Sequence, residues 1–309
     1  RRSSRTSLVR RAVWDMLYAD GACIISRSTQ GLAKMMKVTV EVCRSFALTA
    51  STKKTETMCM PPPRTPRTMV RFEVAGKSYR QVQTFTYLGG AVAETPDMSV
   101  EIARRTRACS SRIRRYLCEL YDQPKVALSL KIRMVKSEAI EALLYGCSTW
   151  TLRKNDYAKP RTVHHRVLLR TIGTQRKRPD HRMISYNRAV EITRCESIEA
   201  TLRTRTLLWA GTLIRMSGGW LSKRIAFGNL EGAVRRGRGG KEKEWTDYVQ
   251  SDIRAFDITG NWKAIALKAE IWGEIVAEGG RRFMAAWRKE ELDAARLRQK
   301  KREATELGK

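Results

Sequence analysis

Histidine is scarce in this chain, with three residues in 309, at positions 164, 165 and 181. Seven cysteines stand at 23, 43, 59, 109, 118, 147 and 195. No two have CxxC spacing and their number is odd, which excludes a zinc ribbon and a disulfide framework. They read as reduced small hydrophobes of an intracellular protein, nuclear or cytoplasmic. No apolar run approaches the roughly 18–20 residues that a membrane span needs, so no membrane partner is expected. Residues 1–11 are basic but carry no apolar h-region, which excludes a secretory signal. No internal repeat is visible. The chain opens on Arg1 rather than Met, which points to a piece of a longer protein. Acidic side chains are also few, 31 Asp+Glu against 61 Lys+Arg, for a net charge of +30.

What is present narrows the class. Hydrophobic residues make up 42% of the chain and include 8 Trp, which is enough for real cores. At roughly 150 residues per domain, the length suggests about two domains. A charge of this size calls for a polyanionic partner, most simply nucleic acid.

The first section alternates strand and helix signals. Residues 13–18 and 22–27 are short apolar runs flanking Ala19-Asp20-Gly21, and Asp-Gly is a strong hairpin signal. An apolar stripe at Leu32, Met35, Met36, Thr39, Val42, Cys43 and Phe46 has helical spacing. Residues 53–58 read as a strand, ended by Pro61-Pro62-Pro63 and Pro66. Residues 69–75 and 79–92 are β-like, with Gly76-Lys77 as a turn. The character changes near Pro96. Ile102, Thr106, Cys109, Ile113, Tyr116/Leu117 and Leu120 form one helical face. The other faces carry Arg104, Arg105, Arg107, Arg112, Arg114 and Arg115. A helix is expected to start at Pro124, and others over 158–172 and 196–216. Residues 232–240 form a basic glycine-rich linker. Short Trp-bearing helices follow over 242–256 and 261–277, then a charged helix over 281–307.

Asp20, on the expected hairpin tip between two strands, is placed as a Mg²⁺ ligand of a nucleotidyl transferase would be. Asp-Gly is equally a plain tight turn. The order of the surrounding motifs favours the first reading. They are Tyr18-Ala19-Asp20-Gly21, Phe46-Ala47-Leu48-Thr49, Lys53-Lys54-Thr55-Glu56-Thr57-Met58, Pro61-Pro62-Pro63 and Phe85-Thr86-Tyr87-Leu88-Gly89. In that order and spacing they resemble the reverse transcriptases of non-LTR (LINE-like) retrotransposons from the last palm motif onward. The stretch Leu143-Leu144-Tyr145-Gly146-Cys147-Ser148-Thr149-Trp150-Thr151-Leu152 is similar to the family too. So is the helix with Arg203, Leu207, Trp209, Ala210, Gly211, Ile214, Arg215 and Met216.

The resemblance implies an α+β palm remnant over 1–95 followed by a mainly α-helical thumb-like region over 96–231. The linker then covers 232–241 and a helical C-terminal region 242–309. It implies RNA-directed DNA polymerase ancestry, with RNA and RNA/DNA template–primer as partners. Asp20 falls on the first metal-binding aspartate, and Gly21 replaces the second. Lys54 falls on a catalytic lysine near the incoming triphosphate, with Lys53 beside the nucleic acid. Phe85, Tyr87, Leu88 and Gly89 fall on the primer grip. Mg²⁺ would bind only with the missing part of the palm supplied, so the chain alone is expected not to polymerise. The alternative is a non-catalytic basic RNA- or DNA-binding module derived from the same source. For either reading, Arg104, Arg105, Arg107, Arg112 and Arg115 are the expected phosphate contacts. Arg176-Lys177-Arg178 and Arg235-Arg236-Gly237-Arg238 are looser basic clusters that fit RNA contact or a nuclear address.

Overall fold

The computed structural model describes residues 15–18, 21–60, 72–74, 76–95, 97–173, 184–228 and 244–307. Asp20, residues 176–178 and the linker at 232–241 lie outside the described residues. The chain divides into an α+β unit over Ser7–Glu101 and a helical unit holding Ile102–Lys309.

The α+β unit opens with the expected hairpin, β1 (Asp15–Tyr18) and β2 (Gly21–Ile24), antiparallel with Tyr18 opposite Gly21. Helix α1 (Thr29–Ser45) follows, capped by Ser28, whose hydroxyl accepts the Gly31 N–H at 3.0 Å. Its Met36 and Val40 are buried with Phe72, Val74 and Tyr79. Leu32, Met36 and Val40 are spaced by four and so share one face. Val42, expected in that stripe, follows Met36 by six residues, a rotation of about 240° that turns it outward, and Phe46 lies beyond the last residue of α1 and is 74% exposed.

The sheets are smaller than the sequence suggested. β3 (Glu56–Thr57) pairs in parallel with β5 (Lys77–Gln81), which pairs antiparallel with β4 (Phe72–Val74). Lys77 belongs to a strand, and Gly76, at φ +73°, supplies the turn. The run 79–92 breaks into β5, β6 (Thr84–Tyr87) and β7 (Gly90–Ala93). Leu88 and Gly89 make the β6–β7 turn, both with positive φ (47° and 80°). Such a tight turn matches the right-handed strand twist, as type I′ geometry does.

The helical unit begins within α2 (Ser99–Arg115), which leads into a π-helical turn (Leu117–Tyr121). Helix α3 (Leu128–Met134) starts four residues after Pro124, which itself lies in a turn over residues 124–125. It continues through a π segment (Val135–Ile140) into α4 (Glu141–Leu143). Then come α5 (Ala158–Ile172), α6 (Tyr186–Thr193), α7 (Ile198–Arg215), α8 (Leu221–Phe227), α9 (Trp245–Ala255), α10 (Trp262–Ile265) and α11 (Ala269–Leu307).

Helices on both sides of residues 229–243 share one core. Leu207 and Ala210 of α7 are buried with Val249, Ile253, Phe256, Trp262, Trp272 and Val276. Trp272 Nε1 donates to the Leu207 carbonyl at 2.9 Å. The pair Gly279-Gly280 does not break α11. A Cβ at Gly279 would come within 2.8 Å of Phe256 Cβ, so this glycine lets the helix approach that ring. Among the described residues no helix is long and apolar enough to cross a membrane.

A second core joins α5, α6, α7 and α11 around Tyr186. The Tyr186 hydroxyl accepts the Ile198 N–H at 2.9 Å. The same oxygen lies 2.8 Å from His164 Nδ1, and the imidazole tautomer decides which of the two donates. Burial, then the neighbouring His165, push the His164 pKa down to about 4. Burial lowers His165 as well. As pH falls, the unfolded chain takes up these protons first, so stability is lost from about pH 6.5 toward pH 4. For His164 alone the loss is about 3 kcal/mol. Asp252 works in the opposite direction. Burial outweighs its pairing with Arg203 and raises its pKa to about 6, so the folded state takes up that proton first. The His164 and Asp252 shifts are of similar size and opposite sign, so they nearly cancel, and the denaturant midpoint of the unmodified protein should change little on their account between pH 7 and pH 4. His164→Gln removes one side of that balance, so its midpoint should rise toward acid relative to the unmodified protein, and a parallel profile would remove His164 from this role.

Candidate nucleic-acid interface

The core face of α2 is made by Ile102, Cys109 and Ile113, all buried. On a 3.6-residue repeat the opposite face holds Arg104, Arg107, Ser111, Arg114 and Arg115. Arg107, Ser111, Arg114 and Arg115 are exposed, and Arg104 is half-buried. From Arg104 to Arg115 this stripe runs about 16 Å with no acidic side chain among its residues. A duplex presents one phosphate charge per roughly 1.7 Å of axis, so roughly nine phosphates lie alongside such a stripe.

The five arginines named from sequence do not share one environment. Arg112 is exposed and faces Glu138 at 3.5 Å. An exposed pair of this kind is weak, so Arg112 can exchange it for a phosphate. Arg105 does not belong to the surface. It is 7% exposed, and its guanidinium lies 4.5 Å from the centroid of the Tyr145 ring. The reason is positional, since Arg105 precedes Cys109 by one turn and follows Ile102 by three residues.

In the α+β unit, Tyr18 and Gly21 flank the two residues of the first turn. Lys53 and Lys54 are exposed in a turn in which the Lys54 and Thr55 N–H groups bond the Ser51 carbonyl. This is the sequence-expected strand displaced, since only Glu56 and Thr57 reach the ladder. Phe85 and Tyr87 are half-buried on one face of β6, and Leu88 is exposed at its turn. The Tyr87 hydroxyl donates to the Met16 carbonyl at 3.0 Å. The two hairpins that carry the resemblance are thus tied to each other, and Tyr87 serves as a strut between them.

Among the described residues no group of three His, Cys, Asp or Glu side chains could hold a metal ion. Mg²⁺ is normally held by carboxylates together with substrate phosphates. Gly21 contributes none at the position where a second carboxylate is expected.

The residues of α7 that carry the family resemblance are scaffolding in this structure. Arg203 pairs with Asp252, and Arg215 donates to the Ala266 carbonyl at 2.9 Å. Leu207 accepts from Trp272, and Gly211 faces that ring. Tyr145 and its contact with Arg105 were not legible as a feature. The stretch 143–152 stands out in the sequence only for its resemblance, and Gly146, at φ +73°, follows Tyr145 where the chain leaves α4. Comparison of the chain with protein-family models, curated proteins and solved structures finds no match.

Proposed function

We propose that this chain derives from a non-LTR retrotransposon reverse transcriptase and that its working activity is binding RNA or RNA/DNA template–primer through the phosphate backbone. In this reading the α+β unit is the end of a palm, and the helical unit is a thumb with its C-terminal extension. The exposed arginines of α2, Arg107, Arg114 and Arg115, carry the binding reading. Forked guanidinium groups suit phosphate oxygens, and contacts of this kind grip without reading sequence. The ordered motifs from Tyr18 to Gly89 support the descent.

The chain alone does not polymerise in this reading, because Gly21 leaves Asp20 without the neighbouring carboxylate of the motif. Primer extension on an RNA template with Mg²⁺ or Mn²⁺ tests that. No template-dependent DNA product is expected, and such a product would make the protein a polymerase in its own right. Binding to the same template–primer, measured in the same buffer, separates loss of chemistry from loss of grip.

A further inference from the structure

Tyr145 and Arg105 form a small built feature on the side of α2 that also carries Arg112. Tyr145 follows α4 and stands 53% exposed. Its inner face is covered by the buried Arg105 guanidinium, 4.5 Å from the ring centroid. The setting is ordered along two antiparallel runs. Arg105 meets Tyr145, and seven residues further along α2 Arg112 faces Glu138, seven residues before Tyr145. A cation over a tyrosine face is attractive and fixes the plane of the ring. Arg112 follows Arg105 by seven residues and so lies on the same side of α2, where it is exposed and can give up Glu138 for a phosphate. An aromatic surface held flat, beside a cation that suits a phosphate, is the arrangement that binds unpaired nucleotides. Bases stack on the ring while the backbone runs over the charges.

We infer that Tyr145 is a base-stacking platform for single-stranded nucleic acid, held in place by Arg105, with Arg112 on the same side of α2 to take the backbone phosphate. This rests on the nucleic-acid reading above and narrows it, since a blunt duplex offers no free base face along its length. Arg105 is here a positioning residue, and Tyr145 is the residue that touches the ligand.

The test uses the full chain and three labelled probes of one length: a single strand of uridines, the same strand with abasic positions, and a blunt RNA–DNA hybrid. Tyr145→Leu should bind the single strand about 5- to 150-fold more weakly, and Tyr145→Phe should stay within about twofold of the unmodified protein. Binding of the hybrid should stay within about twofold for both variants. The slope of affinity against salt should not change, because the ring neutralises no phosphate. The unmodified protein should itself bind the abasic strand more weakly than the intact one, a comparison that needs no variant to fold. Equal affinity for intact and abasic strands would overturn the inference. So would equal losses on strand and hybrid, or no loss for Tyr145→Leu. If the unmodified protein binds none of the three probes, the nucleic-acid reading itself fails. If it binds all three with steep salt dependence and is indifferent to Tyr145→Leu, only the platform fails.

Discussion

Replacing Trp272 by alanine should lower the stability of the helical unit by about 3–5 kcal/mol, the cost of removing a large, fully buried aromatic. Trp272 is 1% exposed, near Trp262 at a ring-centroid separation of 5.9 Å. Its Nε1 donates to the Leu207 carbonyl inside α7. Loss of the ring leaves a cavity where α11 crosses α7, and it also removes the donor from that carbonyl. The complementary change is Gly211→Leu. A Cβ at Gly211 would overlap Cδ1 and Nε1 of the Trp272 indole. The helices must then separate, at a cost of about 1–3 kcal/mol or more, as overpacking does. Denaturant midpoints followed by tryptophan fluorescence measure both. A Trp272→Ala midpoint equal to that of the unmodified protein would show that the α7–α11 crossing does not hold this unit together.

Replacing Arg104, Arg107, Arg114 and Arg115 together by glutamine should flatten the dependence of duplex affinity on salt. Each phosphate neutralised contributes about −0.9 to the slope of log K against log salt, so the slope should become shallower by about 3–4. Between 50 and 200 mM salt, four such contacts account for about a hundredfold of the unmodified protein's loss of affinity. Arg105→Met is the internal control. Arg105 is buried under Tyr145, so this change should leave the duplex slope where it was. Arg112→Gln should change the slope little or by about one contact, since Glu138 already shares its charge. A quadruple variant with the unmodified slope would remove this face of α2 from the interface.

Much of the helical architecture was legible because its helices carry long periodic apolar stripes. The expected helix over 158–172 coincides with α5, and that over 196–216 contains α7. The first hairpin was readable as a hairpin, although Gly21, expected in its turn, pairs with Tyr18 as the first residue of β2. What failed depended on tertiary packing. The sequence of α1 offers apolar residues on two faces, and only contact with β4 and β5 decides that Met36 and Val40 turn inward. The sequence reads as separate helices over 261–277 and 281–307, but α11 runs unbroken through 278–280, with Phe256 filling the space that a side chain at Gly279 would take. Arg105 reads as one of six equivalent surface arginines, and its burial follows from the position of Tyr145, forty residues away in sequence. Leu88 at positive φ forms a turn that no glycine or asparagine announces at that position.

The most direct measurement of the central claim is the affinity of the unmodified full chain for an RNA–DNA hybrid as salt is raised from 50 to 200 mM. Backbone gripping predicts binding that does not depend on the hybrid's sequence. It also predicts a log–log slope of about −4 or steeper. A flat slope, or no binding at the lowest salt, would contradict the account.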